Sequence, residues 1–176
     1  MSNELEKYLN EFGKSVVKQS RTRLSKSKKN DSKKLYNSLS YDLNVSKNSF
    51  SLSFNMEDYG TFIDKGVKGV GGTKANGERW EQKKVTNNSY KYKTRKPPIK
   101  ALDKWSVRKG IAPRDKNGKF LSRKSVLFAI SNSIFHTGLE TTNFFSKPFE
   151  NAFKKLPDII IEKFGLDLDD FLDFTT

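Results

Sequence analysis

Four glycines within seven residues, Gly66, Gly69, Gly71 and Gly72, invite a chemical reading, because glycine-rich loops can wrap phosphates. A nucleotide phosphate loop needs Gly-x4-Gly-Lys followed by Ser or Thr. Here Gly72-Thr73-Lys74 has the order reversed, and no apolar strand leads cleanly into a following helix. The dinucleotide pattern Gly-x-Gly-x-x-Gly opening a helix is absent as well, so the cluster reads as a flexible hinge at the base of a loop. Glu57, Asp58 and Asp64 are the acids nearest the glycines. A paired-carboxylate hydrolase, or a nuclease holding a metal on Asp58 and Asp64, would need a fixed separation that the spacing does not supply. Asp167, Asp169 and Asp170 lack the twelve-residue calcium-loop pattern and its central glycine. His136 is the only histidine, which excludes a multi-histidine metal site. Placed after an apolar helix face and before Thr137-Gly138, it reads as a helix C-terminal residue favoured by the dipole. With no cysteine, disulfides, thiolate zinc sites, iron–sulfur clusters and thiol catalysis are all excluded. The expectation is a protein that is not an enzyme and holds no cofactor and no metal.

Charge is the strongest remaining signal. The 176 residues carry 34 Lys and Arg against 20 Asp and Glu, a net +14. Residues 157–176 hold six acids and one base, a net of −5, so residues 1–156 carry +19. Residues 65–96 contain ten bases (Lys65, Lys68, Lys74, Arg79, Lys83, Lys84, Lys91, Lys93, Arg95 and Lys96) and two acids. That density would bind phosphates without reading sequence. Trp80, Tyr90 and Tyr92 are interleaved with these bases and could stack on nucleobases or pack across strands. Hydrophobic residues make up 34% of the chain, low against the roughly 45–50% apolar content of soluble domains, so segments are expected to lie outside the core. The 14 Phe, 6 Tyr and 2 Trp argue against wholesale disorder. Met-Ser-Asn-Glu-Leu-Glu-Lys has neither the basic nor the apolar region of a signal peptide, and the longest aliphatic run, Ile159–Ile161, is far too short to span a membrane.

The elements that would position these residues follow from periodicity. Residues 3–24 predict an amphipathic helix with Leu5, Tyr8, Leu9, Phe12, Val16 and Leu24 on one stripe. A basic run follows at Lys18, Arg21, Arg23, Lys26, Lys28 and Lys29, either a solvated helix end or a polyanion contact. Asp31 or Ser32 would cap a short helix over 33–38. Tyr41-Asp-Leu43-Asn-Val45 and Phe50-Ser-Leu52-Ser-Phe54 alternate with period two around Ser46-Lys47-Asn48, which predicts a hairpin with one buried face. Residues 56–64 have helical spacing, weakened by Gly60. The stretch 67–96 is too long and aperiodic for an ordinary connection and predicts a projecting basic loop or β-arm. Pro98 opens a helix to Lys109. Residues 111–120 read as a loop or small hairpin. Leu121–His136 reads as a core helix, with Leu127, Ile130 and Ile134 on its stripe, Phe128 and Phe135 flanking it, and Gly138 stopping it. Thr141–Phe145 is expected to be extended. Pro148–Lys163 is expected to be a helix anchored by Phe149, Phe153, Ile160 and Phe164, split or kinked at Pro157. The fold class is therefore α+β: an N-terminal amphipathic helix and C-terminal helices on a small antiparallel sheet, within one domain of residues 1–165. Residues 166–176 form an acidic docking tail, with Asp169, Asp170, Phe171 and Phe174 as its contact residues.

Several of these segments, in this order, resemble the tail-completion or neck proteins of tailed bacteriophages. Those proteins begin with a helix, continue with a segment like Leu35-Tyr36-Asn37-Ser38-Leu39 and a β-hairpin, and then carry a Tyr-Gly/Ala-x-Phe/Tyr-Ile/Val-Asp/Glu-x-Gly motif. Tyr59, Gly60, Phe62, Asp64 and Gly66 match that motif here, and Pro148-Phe149-Glu150-Asn151-Ala152-Phe153 matches a closing Pro-Phe-x-x-Ala-Phe-like element. The basic insertion at 67–96 and the acidic tail depart from the pattern. The resemblance implies a structural virion part: a homo-oligomeric ring of 12 or 6 copies in the head-to-tail connector. Such a ring contacts the portal and other neck and tail proteins, surrounds the exit channel of double-stranded DNA and has no membrane association. It would be found in the virion, and in the host cytoplasm during assembly. A stand-alone, basic, architectural nucleic-acid-binding protein is the alternative reading.

Overall fold

The computed structural model describes residues 3–27, 29–46, 49–156, 158 and 160. The fold is α+β. In chain order its elements are α1 (Asn3–Lys26), α2 (Lys34–Ser38), β1 (Ser40–Val45), β2 (Phe50–Asn55), α3 (Gly60–Lys65), β3 (Val67–Lys68), α4 (Ile99–Arg108), α5 (Arg123–Thr137), β4 (Gly138–Leu139) and α6 (Ser146–Phe153). No described helix is long and apolar enough to cross a membrane. The described residues divide by their contacts into two compact units, one of residues up to 64 together with those from 142 on, and one of 65–141. The second unit is held by backbone hydrogen bonds between segments without periodicity, a kind of cohesion that a search for apolar repeats does not register.

In the first unit, Leu9, Phe12, Val16 and Leu24 of α1 are buried as their spacing requires. Tyr8, expected on the same stripe, is exposed, and the side chain of Leu5 lies outside the described residues. β1 and β2 pair antiparallel with Tyr41 opposite Phe54, Leu43 opposite Leu52 and Val45 opposite Phe50, so the alternating side chains share one half-buried face. Phe12, Phe54, Phe145 and Phe149 meet largely edge to face at the centre, with the Phe12–Phe149 and Phe54–Phe145 rings both 5.4 Å apart. Such geometry stabilises by about 0.5–1.5 kcal/mol per pair beyond burial. α2 is not capped by Asp31 or Ser32. Its N-terminal boundary residue is Lys33 in the left-handed region (φ 56°), with no side-chain cap. Arg21 serves the other end of α2, donating to the carbonyls of Tyr36 (3.1 Å) and Leu39 (2.7 Å) and lying over the Tyr36 ring. That residue of the basic run is thus a clamp within the unit. The helix expected over 56–64 begins only at Gly60, where a Cβ would lie 2.7 Å from Met56 Sδ and 2.9 Å from Leu35 Cδ1. α6 starts at Ser146, two residues before the expected Pro148, and buries Phe149 and Phe153. Ile160 is buried beside Leu9, while Pro157 and residues 161–176, including Phe164, lie outside the described residues.

In the second unit, α4 runs from Ile99 behind Pro98 and packs on α5. Residues 111–121 form a small hairpin, bridged between Arg114 and Phe120. Ser122 caps α5 by accepting from the Ser125 amide. The buried side of α5 is Val126, Leu127, Ser131 and Phe135, while Ile130 and Ile134 are half-buried and Phe128 is 53% exposed. The core stripe is therefore rotated from the expected one and includes Ser131, whose hydroxyl donates to the Pro97 carbonyl at 2.6 Å. Gly138 ends the helix at φ 85°, as its position predicts. The short strand lies at Gly138–Leu139, paired antiparallel with Val67–Lys68, and not over Thr141–Phe145.

Candidate nucleic-acid interface

Asp64, the one acid of the motif Tyr59–Gly66, is 3% exposed. One of its carboxylate oxygens accepts from the Phe145 amide (2.7 Å) and the Ser146 amide (3.2 Å), and the other accepts from the Ser146 hydroxyl. These are unsatisfied donors at the N-terminus of α6, so Asp64 acts as a cap supplied from a distant stretch of chain. Backbone bonds reinforce the junction, with the Thr142 and Asn143 amides donating to the Asp64 carbonyl at 3.1 and 3.0 Å. The motif's acid thus holds the start of the helix that carries Pro148–Phe153. Asp64 is committed to this structural task. Glu57 pairs with Lys34 at 3.4 Å and Asp58 is exposed. Among the described residues no cluster of three or more His, Asp or Glu is placed to hold a metal. Of the other motif residues, Tyr59 and Phe62 are 38% and 42% exposed, and burial pushes the Tyr59 phenol above its ordinary value, aided by the charge of Glu57. Gly66 lies at φ 76°, where a Cβ would be 2.7 Å from the Leu139 carbonyl.

The glycine cluster is not a hinge. The last carbonyls of α5 have no partner within the helix, and the 67–84 segment supplies donors to them. The Val70 amide donates to Phe135 (3.0 Å), Gly71 to His136 (3.0 Å) and Lys83 to Thr137 (2.9 Å), and the Gln82 side chain donates to His136 as well (2.6 Å). Gly69 passes so close to the His136 carbonyl that any Cβ would collide with it. His136 itself sits in the last turn of α5. Its Nδ1 is 2.5 Å from the Gly71 carbonyl, and its ring stacks on Trp80 at 5.1 Å and 7°. Tyr92 packs on Phe135 at 5.9 Å, and its phenol is pushed up by burial. Tyr90 is tied by its carbonyl, which accepts from the Lys68 amide at 2.9 Å. Trp80 and Tyr92 therefore spend ring surface within the unit.

The ten bases of 65–96 all belong to this second unit. Lys74 bridges to Glu78 at 2.9 Å and lies over Trp80, while Lys96 donates to Asn132 at 2.7 Å and lies over Phe135. Lys65 is half-buried, and Lys68, Arg79, Lys83, Lys84, Lys91, Lys93 and Arg95 are exposed. Sequence reasoning missed how far the charge extends. The second unit also carries nine bases in 99–128, so residues 65–141 hold 19 Lys and Arg against 5 Asp and Glu, a net +14. The first unit holds 15 of each and is neutral. The signal was present in the sequence but invisible until the unit boundary was known. The tail residues Asp169, Asp170, Phe171 and Phe174 lie outside the described residues.

Comparison with known protein families, curated proteins and solved structures finds no match to this chain.

Proposed function

We propose that this chain is a structural ring component of a tailed-phage neck, in which the Lys65–Thr141 unit meets the DNA and the first unit builds the scaffold. The observation that carries the DNA contact is the confinement of the whole net charge of +14 to one unit. A strongly basic unit draws a polyanion to one place. The ring assignment rests on the ordered set of motifs, Tyr59–Gly66 followed by Pro148–Phe153. On this reading the DNA is cargo: contacts go to phosphates and carry no sequence preference.

The test combines mass with salt dependence. A ring protein gives a single high-order mass, alone or with a portal partner, and binds duplex DNA weakly and regardless of sequence. Replacing Lys83, Lys84, Lys91 and Lys93 by Ser leaves folding intact, because all four side chains are exposed. It should also flatten the dependence of binding on log salt by up to about 3–4 units if each meets a phosphate. A chain that stays monomeric with a portal partner present, yet binds DNA at nanomolar affinity, would instead be the stand-alone architectural binder.

A further inference from the structure

Within the second unit, the end of α4, the 111–121 hairpin and the start of α5 enclose a cleft of about 230 Å³. Val107, Ile111, Phe120 and Leu121 line it and are 56%, 37%, 56% and 46% exposed. The cleft is a formed feature. The Ile111 amide donates to the Ser106 carbonyl and the Leu121 amide to the Pro113 carbonyl, both at 3.0 Å, and the Arg114 guanidinium lies 3.7 Å from the centre of the Phe120 ring. Its volume falls below the ~300–1,000 Å³ typical of small-molecule pockets, which suits a side chain better than a metabolite. Duplex DNA would leave these apolar side chains without an apolar partner. Residues 99–128 carry nine Lys and Arg against two acids. Asp103 is bound by Arg123 at 2.5 Å, and Asp115 accepts the Asn117 and Lys119 amides at 2.9 Å each. The surroundings therefore select an acidic peptide with apolar anchors.

This chain contains such a peptide. Leu166-Asp-Leu-Asp-Asp-Phe-Leu-Asp-Phe174 alternates four acids with five apolar residues and contains no base. We infer that the acidic tail of one copy docks in the apolar cleft of the basic unit of a second copy, with Phe171 or Phe174 as the anchor. Phe171 and Phe174 follow Ile160 by 11 and 14 residues, a span of at most about 36 and 46 Å for an extended chain. The choice of a second copy rests on the ring reading, in which each subunit repeats one heterologous contact with the next.

The chain has no cysteine, so single thiols can be placed cleanly. Full-length protein carrying Lys119→Cys is mixed with full-length protein carrying Thr175→Cys and treated with a bismaleimide, and oligomer mass is measured on the same sample. The expected result is a covalent dimer that forms in the mixture and not in either pool alone. Its yield should fall about tenfold when Phe120→Ser and Leu121→Ser are added to the first copy, or Phe171→Ser to the second, with circular dichroism unchanged. High salt should lower it as well. A ring by mass with no tail–cleft product overturns the docking and leaves the ring reading standing. A monomer with no product overturns both. If a chain carrying both cysteines closes only on itself, the second-copy occupant is wrong.

Discussion

Asp64→Ala is the most informative single change in the first unit. The carboxylate accepts from two amides and one hydroxyl at the start of α6, and the Phe145 bond is buried. Leaving a buried donor unsatisfied costs about 1–3 kcal/mol, and losing an anionic group at a helix N-terminus costs a further ~0.3–1 kcal/mol. The two Ser146 donors lie closer to solvent and recover part of their loss through water. The expected total is about 3–4 kcal/mol for alanine. Asparagine keeps one acceptor oxygen and the shape, so the expected cost there is only about 1–1.5 kcal/mol. With a urea slope of about 1.5 kcal/mol/M, alanine moves the first unit's midpoint down by roughly 2 M. Both tryptophans, Trp80 and Trp105, belong to the second unit, so their fluorescence follows that unit while circular dichroism follows both. The capping argument predicts that the dichroism transition shifts and that amide exchange at Phe145 and Ser146 accelerates. A loss below about 1 kcal/mol for alanine, or asparagine as damaging as alanine, would refute it. Metal-dependent DNA cleavage abolished by Asp64→Asn at unchanged stability would mean that the residue does chemistry.

Gly69→Ala should destabilise the second unit by about 2 kcal/mol or more, because its Cβ meets the His136 carbonyl; tryptophan fluorescence in urea reads the shift. Arg21→Ala removes two bonds to α2 carbonyls and the contact with Tyr36, an expected loss of about 2 kcal/mol, visible in the thermal midpoint by dichroism. In an alkaline ultraviolet titration, Tyr59 and Tyr92 should ionise above the ordinary phenol value, and Tyr92→Phe should remove one of these two late steps. The folded chain holds those two phenolic protons more tightly than the unfolded chain does. Stability is therefore unaffected by them below pH ~10 and falls as pH rises through the raised values.

The first unit was largely legible in the sequence. Leu9, Phe12, Val16 and Leu24 announce α1 by spacing, and the two alternating triplets around residue 46 fix the hairpin register, because a one-residue slip would expose every apolar side chain. The second unit was not. Its 67–96 segment carries no helix and, beyond the two-residue β3, only isolated bridges, and it is held by amides that serve the end of α5, a partnership across about 60 residues that leaves no local pattern. Asp64 stands out in the sequence both as a motif residue and as a possible metal ligand. Its actual role as a cap was hidden because the helix it caps begins 82 residues later. The full basic charge of the second unit is hidden for a related reason: it belongs to a unit whose limits only the contacts reveal.

The hydrogen bonds between Ile63–Asp64 and Thr142–Asn143 lie within the first unit, and the bond from the Thr141 hydroxyl to the Lys65 carbonyl (2.7 Å) lies within the second. Each unit therefore has its two connecting ends side by side. A short bridge from residue 64 to 142 would close the scaffold without its basic insert, and the insert's own ends are already joined across one hydrogen bond. This is the wiring of an exchangeable cassette. Selection can swap, enlarge or recharge the basic insert while the aromatic core of the first unit is inherited unchanged.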